Sequence, residues 1–245
     1  MEKKTTRPLT VQLDSLHSIS ILLDSLSLYD YARNRAVPVA LYLPDSAELK
    51  QKLIIFNHGY GENKGDAYLS YSYLNAFLAA KGYMVASVQH ELPTDDPLPM
   101  TGNLRETRGA NWERGVENMF FVLKELKIRN PNIDDRHIMI IGHSNGGDIT
   151  MLFATEYPQK VVKAITLDNR RMPIPRVSQP RIYSLRSSDV PADEGVLPSP
   201  DEQQKYGITI VQLPDIKHVE MTDAMASEIQ KKEIKEYVLN FLNEK

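Results

Sequence analysis

The stretch His137-Ile138-Met139-Ile140-Ile141-Gly142-His143-Ser144-Asn145-Gly146-Gly147 carries most of what this chain discloses about itself. A short apolar run such as Ile138–Ile141 suits a strand covered on both faces. It stops at a glycine, and Ser144 then stands between Gly142 and Gly146 in the pattern Gly-x-Ser-x-Gly. A helix is expected from Ser144 or Asn145 to Tyr157, stopped by Pro158. A strand-to-helix turn tight enough to expose a serine hydroxyl crowds its neighbours, so the flanking positions need minimal side chains. The helix start also brings backbone N–H groups and a positive dipole end beside any developing negative charge. A plain glycine turn or a phosphate-cradling loop competes with this reading. No Gly-Lys-Ser/Thr follows the turn, which disfavours the phosphate loop, and the strand–turn–helix context favours a serine nucleophile.

The flanking sequence repeats the strand–helix alternation. Leu53–Phe56, Tyr83–Val88, Val161–Leu167, Arg181–Leu185 and Ile208–Leu213 read as strands. Helices are expected over residues 67–81, closed by Gly82, over 111–127, and over 221–242. Alternation of this kind implies a mostly parallel sheet of about eight strands with helices on both faces. The first 45 residues are β-rich, with runs at Thr10–Asp14, Ile19–Leu23 and Val37–Leu43, and suit antiparallel edge strands where Pro38 is tolerable. No internal repeat or linker appears, so residues 1–245 are expected to form one domain, with 1–45 as the β-rich edge of the same sheet.

Composition narrows the function classes. The formal net charge is −3, with no basic excess of the kind a nucleic-acid footprint needs. Zero cysteines exclude disulfides, thiolate metal sites and a cysteine nucleophile, and fit either a reducing or an oxidising compartment. The start Met1–Pro8 is polar with no apolar run behind it and does not read as a signal peptide. No stretch approaches a membrane span. The 6 histidines are scattered without paired-ligand spacing, so neither a metal nor another cofactor is expected. The expected partner is a small-molecule ester or a short peptide, and nothing in the pattern sets an oligomeric state.

On the elbow, on His58-Gly59 after a buried strand, on an acid after a late strand and on a histidine before the last helix, residues 37–243 resemble the α/β-hydrolase superfamily. The likeness is nearest to its small esterase, dienelactone-hydrolase and serine-peptidase-like branches. It implies cleavage of a carboxylic ester through an acyl-Ser144 intermediate, with a serine peptidase or amidase, or a non-catalytic binding protein, as alternatives. A serine hydroxyl needs a base that titrates near neutral pH. Of the histidines only His218 lies beyond the elbow, where the resemblance places the base. The acid is expected at Asp189, with Asp193 a close rival and Asp168 a third option. The resemblance also implies an oxyanion hole from the backbone N–H groups of Tyr60 and Asn145. His143 is expected to pack beneath the turn. The long segment 89–109 is expected to border the pocket together with Asn169–Pro173 and with Trp112, Arg105, Arg108 and Arg114 nearby. Those arginines have two readings, contact with a substrate carboxylate or pairing with Glu91, Asp95, Asp96 or Glu113; the second is preferred. No long insertion suggests a lid domain.

Overall fold

Strand β4 (Leu53–Asn57) shows how the sheet is built, because every one of its residues is buried. Ile54 and Phe56 point into one apolar cluster and Leu53 and Ile55 into another, as the two-residue period of a strand covered on both faces demands. The computed structural model describes residues 5–13, 17–45 and 50–244. Asp14, the end of the first expected strand, and Met1–Lys4 lie outside the described residues.

Nine strands make one sheet, in the order β1-β2-β3-β5-β4-β6-β7-β8-β9. Strands β1 (Thr5–Gln12), β2 (Ser18–Asp30) and β3 (Arg35–Leu43) run antiparallel and join the sheet at β5 (Met84–Val88). From β5 through β4, β6 (Ile138–His143), β7 (Val161–Leu167), β8 (Arg181–Arg186) and β9 (Thr209–Gln212) all pairings are parallel. The mostly parallel α/β architecture is as expected, with nine strands in place of about eight.

The helices divide between the faces. Helix α1 (Ser72–Ala80) and helix α6 (Glu228–Asn243) cover one face, where Leu74, Phe77, Ile234, Val238 and Phe241 join Ile54 and Phe56. Helix α3 (Gly109–Arg129) and helix α4 (Asn145–Glu156) cover the other with Trp112, Val116, Met119, Ile149 and Phe153. Two short helices complete the set, α2 (Leu104–Thr107) and α5 (Pro200–Tyr206).

Several expected boundaries move. Pro38 sits inside the sheet, because β3 lies between β2 and β5. Its carbonyl accepts from Gln89 N at 2.9 Å, one residue past the end of β5. The missing N–H therefore falls where the ladder stops, which makes it tolerable. The expected helix over 67–81 divides into a 3₁₀ turn at Ala67–Leu69 and α1. The closing helix begins at Glu228 and not at Met221, with Ser227 and Gln230 forming a reciprocal cap; Met221 belongs to a separate 3₁₀ turn.

The chain crosses from β4 through α1 to β5 on one side, then through α3 to β6 on the other. That reversal opens a crevice beyond the carboxyl ends of β4 and β6, the place where open α/β sheets bind ligands.

Candidate active site

The turn after β6 is built by exclusion. A Cβ on Gly142 would lie 2.2 Å from Gly146 O and 2.3 Å from Thr150 Oγ1, and one on Gly146 would lie 2.2 Å from Asn57 O. No side chain fits at either position. Ser144 takes φ 52° and ψ −120°, a backbone conformation that L-residues rarely adopt. Its N–H donates to Leu167 O at 3.0 Å and its carbonyl accepts from Asp148 N at 3.0 Å, starting α4. Strain of this kind persists only where the surroundings fix it.

The half-buried Ser144 Oγ lies 2.9 Å from His218 Nε2, and His218 Nδ1 lies 2.5 Å from Asp168 Oδ2. With Nδ1–H donating to the carboxylate, Nε2 is left to accept from the serine hydroxyl. Ser144 and His218, 74 residues apart in sequence, are thus brought together by the ends of two parallel strands.

The carboxylate at the imidazole is Asp168 and not Asp189, the residue expected there. Asp189 is exposed, and its Oδ1 accepts from the backbone N–H of His218 at 2.7 Å, so it holds the loop and not the ring. Asp193 is exposed as well, and its N–H donates to Arg170 O. Asp168 follows β7 directly, with φ 59°, and is fully buried. Burial alone would raise its pKa. The His218 hydrogen bond, the Arg186 charge and two hydrogen bonds from Ser187 outweigh burial and hold the carboxyl below its ordinary value. Arg186 Nη2 stands 2.9 Å from Asp168 Oδ1 as an ion pair, while Ser187 donates from N at 3.1 Å and from Oγ at 2.7 Å.

His143, expected to pack beneath the turn, is held by hydrogen bonds on both ring nitrogens. It is buried, and its ring centroid is 4.7 Å from that of His218. Its Nε2 lies 3.1 Å from the His218 carbonyl and its Nδ1 2.7 Å from Tyr71 Oη. Tyr71 Oη in turn accepts from Gly59 N at 3.1 Å. Only one assignment satisfies all three contacts: Nε2–H donates to the carbonyl and Nδ1 accepts from the phenol. Burial and the neighbouring His218 push the His143 pKa down to about 3, so the ring stays neutral. Tyr71 carried no sequence signal, since an aromatic residue at the start of a helix reads as core.

Behind Asn145 lies a second polar assembly. Its side-chain oxygen accepts from Trp112 Nε1 at 2.8 Å, and its nitrogen donates to Glu91 Oε1 at 3.0 Å and Asn111 Oδ1 at 2.9 Å. Trp112, expected near the pocket, is buried and supports Asn145. Arg114 stands 3.5 Å from Asp95 and follows the pairing reading, whereas Arg105 donates to the backbone carbonyl of Glu194 and Arg108 faces the cleft.

The cleft above Ser144 and His218 has a volume of about 410 Å³ and is bordered by Tyr60, Asn145, Leu98, Met100, Arg170 and Arg171, among others. A larger cavity of about 560 Å³ lies against β2, β3 and the end of α3, lined by Leu26, Leu41, Met84, Leu126 and Ile133. Its polar lining is Asp24, Ser25, Ser27, Arg129 and Asn130, with no histidine beside either hydroxyl, whereas Ser144 and His218 both border the smaller cleft.

The BD-FAE family model matches residues 39–177, more than half of the 245-residue chain. The chain belongs to the BD-FAE family. It is an α/β-hydrolase by family and by fold. No curated protein matches its sequence. Among solved structures it is similar to the esterase Est22, at 12% identity and a TM-score of 0.66, covering 91% of this chain and 82% of that one. A fungal esterase from Rhizomucor miehei gives 14%, 0.67, 94% and 84% for the same quantities. A putative dienelactone hydrolase from Klebsiella pneumoniae gives 17%, 0.66, 92% and 99%. At these identities the likeness concerns the fold. Among the described residues no helix is long and apolar enough to cross a membrane.

Proposed function

We propose that this BD-FAE protein is a serine hydrolase that cleaves a carboxylic ester, with Ser144 as nucleophile, His218 as general base and Asp168 as the acid that orients the imidazole. The observation that carries the reading is the unbroken hydrogen-bonded chain from Ser144 Oγ through His218 to a buried, ionised Asp168. Esterases among the structural neighbours support the same reaction class, and an esterase from Thermogutta terrifontis of the same fold is described as phosphorylated by paraoxon.

Ser144 Oγ attacks the ester carbonyl carbon while its proton passes to His218 Nε2. The C–O bond then breaks and the alcohol leaves with that proton. Water attacks the acyl-serine, gives a proton to His218, and the carboxylic acid departs as Ser144 Oγ regains it. Asp168 stabilises the transient imidazolium and is not itself protonated. The backbone N–H groups of Asn145 and Tyr60 are assigned to the oxyanion. Asn145 begins α4, where the helix N-terminus favours negative charge, and Tyr60 lines the same cleft. Removing one such donor typically costs about a hundred- to a thousandfold in kcat.

A matched panel of 4-nitrophenyl esters and 4-nitroanilides tests the reaction class. Ester turnover with a burst of one nitrophenol per protein, lost in Ser144→Ala, is expected. Turnover of anilides alone would assign an amidase, and turnover of neither would leave a binding protein on a hydrolase scaffold.

A further inference from the structure

Among the Arg, Lys, Asp and Glu residues bordering the cleft beside Ser144, all are arginines. Arg108, Arg170 and Arg171 border it, and no Asp or Glu does. Arg108 comes from the end of α2, and the other two from the turn after β7. Like charges gathered in a partly desolvated wall repel. Burial, and then the neighbouring arginines, push the pKa of Arg108 down to about 10 and that of Arg170 below its ordinary value.

Asp148 and Asp193 offset part of this repulsion at Arg108 and, with Asp168, at Arg170, but among the described residues no carboxylate forms an ion pair with any of the three. Asp168 is engaged by His218 and Arg186. Asp148 Oδ1 accepts the backbone N–H groups of Arg170, Arg171 and Met172 at 2.9–3.1 Å, so it shapes the turn, and among the described residues it forms no ion pair with either guanidinium. Arg108 has two of its donors occupied, by Pro99 O and Met100 Sδ. Among the described residues the Nε atoms of Arg170 and Arg171 are buried with no hydrogen-bond partner. Other arginines of the chain, Arg35, Arg176 and Arg186, each face a carboxylate. Apolar Leu98, Met100 and Val219 also border the cleft, Met100 in contact with Arg108.

We infer that the substrate is an ester carrying its own carboxylate, the half-ester of a dicarboxylic acid, whose free carboxylate sits on Arg170 and Arg171 while its methylene chain lies against the apolar rim. Planar guanidinium donors match a carboxylate in geometry as well as charge. The inference rests on the hydrolase reading of Ser144 and adds the substrate class to it.

The test compares kcat/KM for the 4-nitrophenyl half-esters of glutarate and adipate with that for the neutral valerate and hexanoate esters, spontaneous hydrolysis subtracted. A preference of about tenfold or more for the charged esters is expected, since one such contact is worth roughly that factor. The ratio should collapse in Arg170→Gln/Arg171→Gln and persist in Arg176→Gln, whose guanidinium pairs with Glu202 away from the cleft. In parallel, glutarate is titrated calorimetrically into Ser144→Ala with and without the two arginine changes, a readout independent of turnover. Equal turnover of charged and neutral esters with no glutarate binding overturns the inference and leaves the hydrolase reading standing. If no ester is turned over, the hydrolase reading fails. The glutarate titration then decides alone: binding that needs the two arginines upholds the anion site, and no binding refutes it.

Discussion

Single residues carry the sharpest consequences. Asp168→Asn would leave the imidazole in the wrong tautomer and is expected to lower ester-hydrolysis kcat about a thousand- to ten-thousandfold, while Asp189→Asn costs less than about tenfold, because Asp189 touches only the backbone of His218. Comparable losses in the two variants, or the larger loss at Asp189, would contradict the assignment. Sequence could not separate these carboxylates. Both follow apolar strands, and what distinguishes them is burial, which depends on where Arg186 and Ser187 fall in space. His143 gives a pH dependence of stability. Its folded pKa is depressed to about 3, so the unfolded chain takes up a proton below about 6.5 that the folded chain refuses. Stability is therefore full above that pH and falls as pH drops towards 3, by up to about 1.4 kcal/mol per pH unit for this one group. Urea titrations between pH 4 and 7 should show a shallower slope in His143→Gln than in the unaltered protein. Buried His90, also depressed, adds to the slope in both. Identical slopes would mean that His143 titrates normally.

At the scale of elements, the turn and the caps make separate predictions. Gly146→Ala would drive a methyl group into the carbonyls of Asn57 and His58, and a loss on the order of 3 kcal/mol is expected from overpacking against backbone. A urea midpoint unchanged by that substitution would mean the turn is looser than described. Ser227 accepts from Gln230 N while Gln230 Oε1 accepts from Ser227 N, and Ser227→Ala should cost about 1 kcal/mol of stability in the same assay. That Ser-x-x-Gln pattern was present in the sequence and marks the true start of α6, whereas apolar periodicity alone drew the helix back to Met221. Helix α5 escaped notice for a related reason. At 7 residues it is too short to display periodicity, although Ser199, Pro200 and Glu202 at its start and Gly207 at its end are helix signals. The buried parallel strands were legible because each is a run of apolar residues bounded by breakers.

Over the whole molecule, parallel strands deliver to one crevice residues that the sequence scatters. Ser144 follows β6, Asp168 follows β7 and His218 follows β9, and Gly59 and Tyr60 enter from β4. That Ser144 and His218 meet was legible from the elbow, because topology fixes which strand ends come together. The support behind them was not. Tyr71, Glu91 and Trp112 come from the N-cap of α1, the loop after β5 and α3, and only packing shows that they converge on His143 and Asn145. A serine activated by these strand ends reacts with an electrophile even without substrate. The most direct measurement is labelling of the folded protein with a fluorophosphonate probe, the modified residue being located by mass spectrometry. One adduct is expected, on Ser144, absent in Ser144→Ala and formed much more slowly in His218→Ala and Asp168→Asn. An unlabelled protein, or an adduct that forms equally fast without His218, would contradict an activated Ser144.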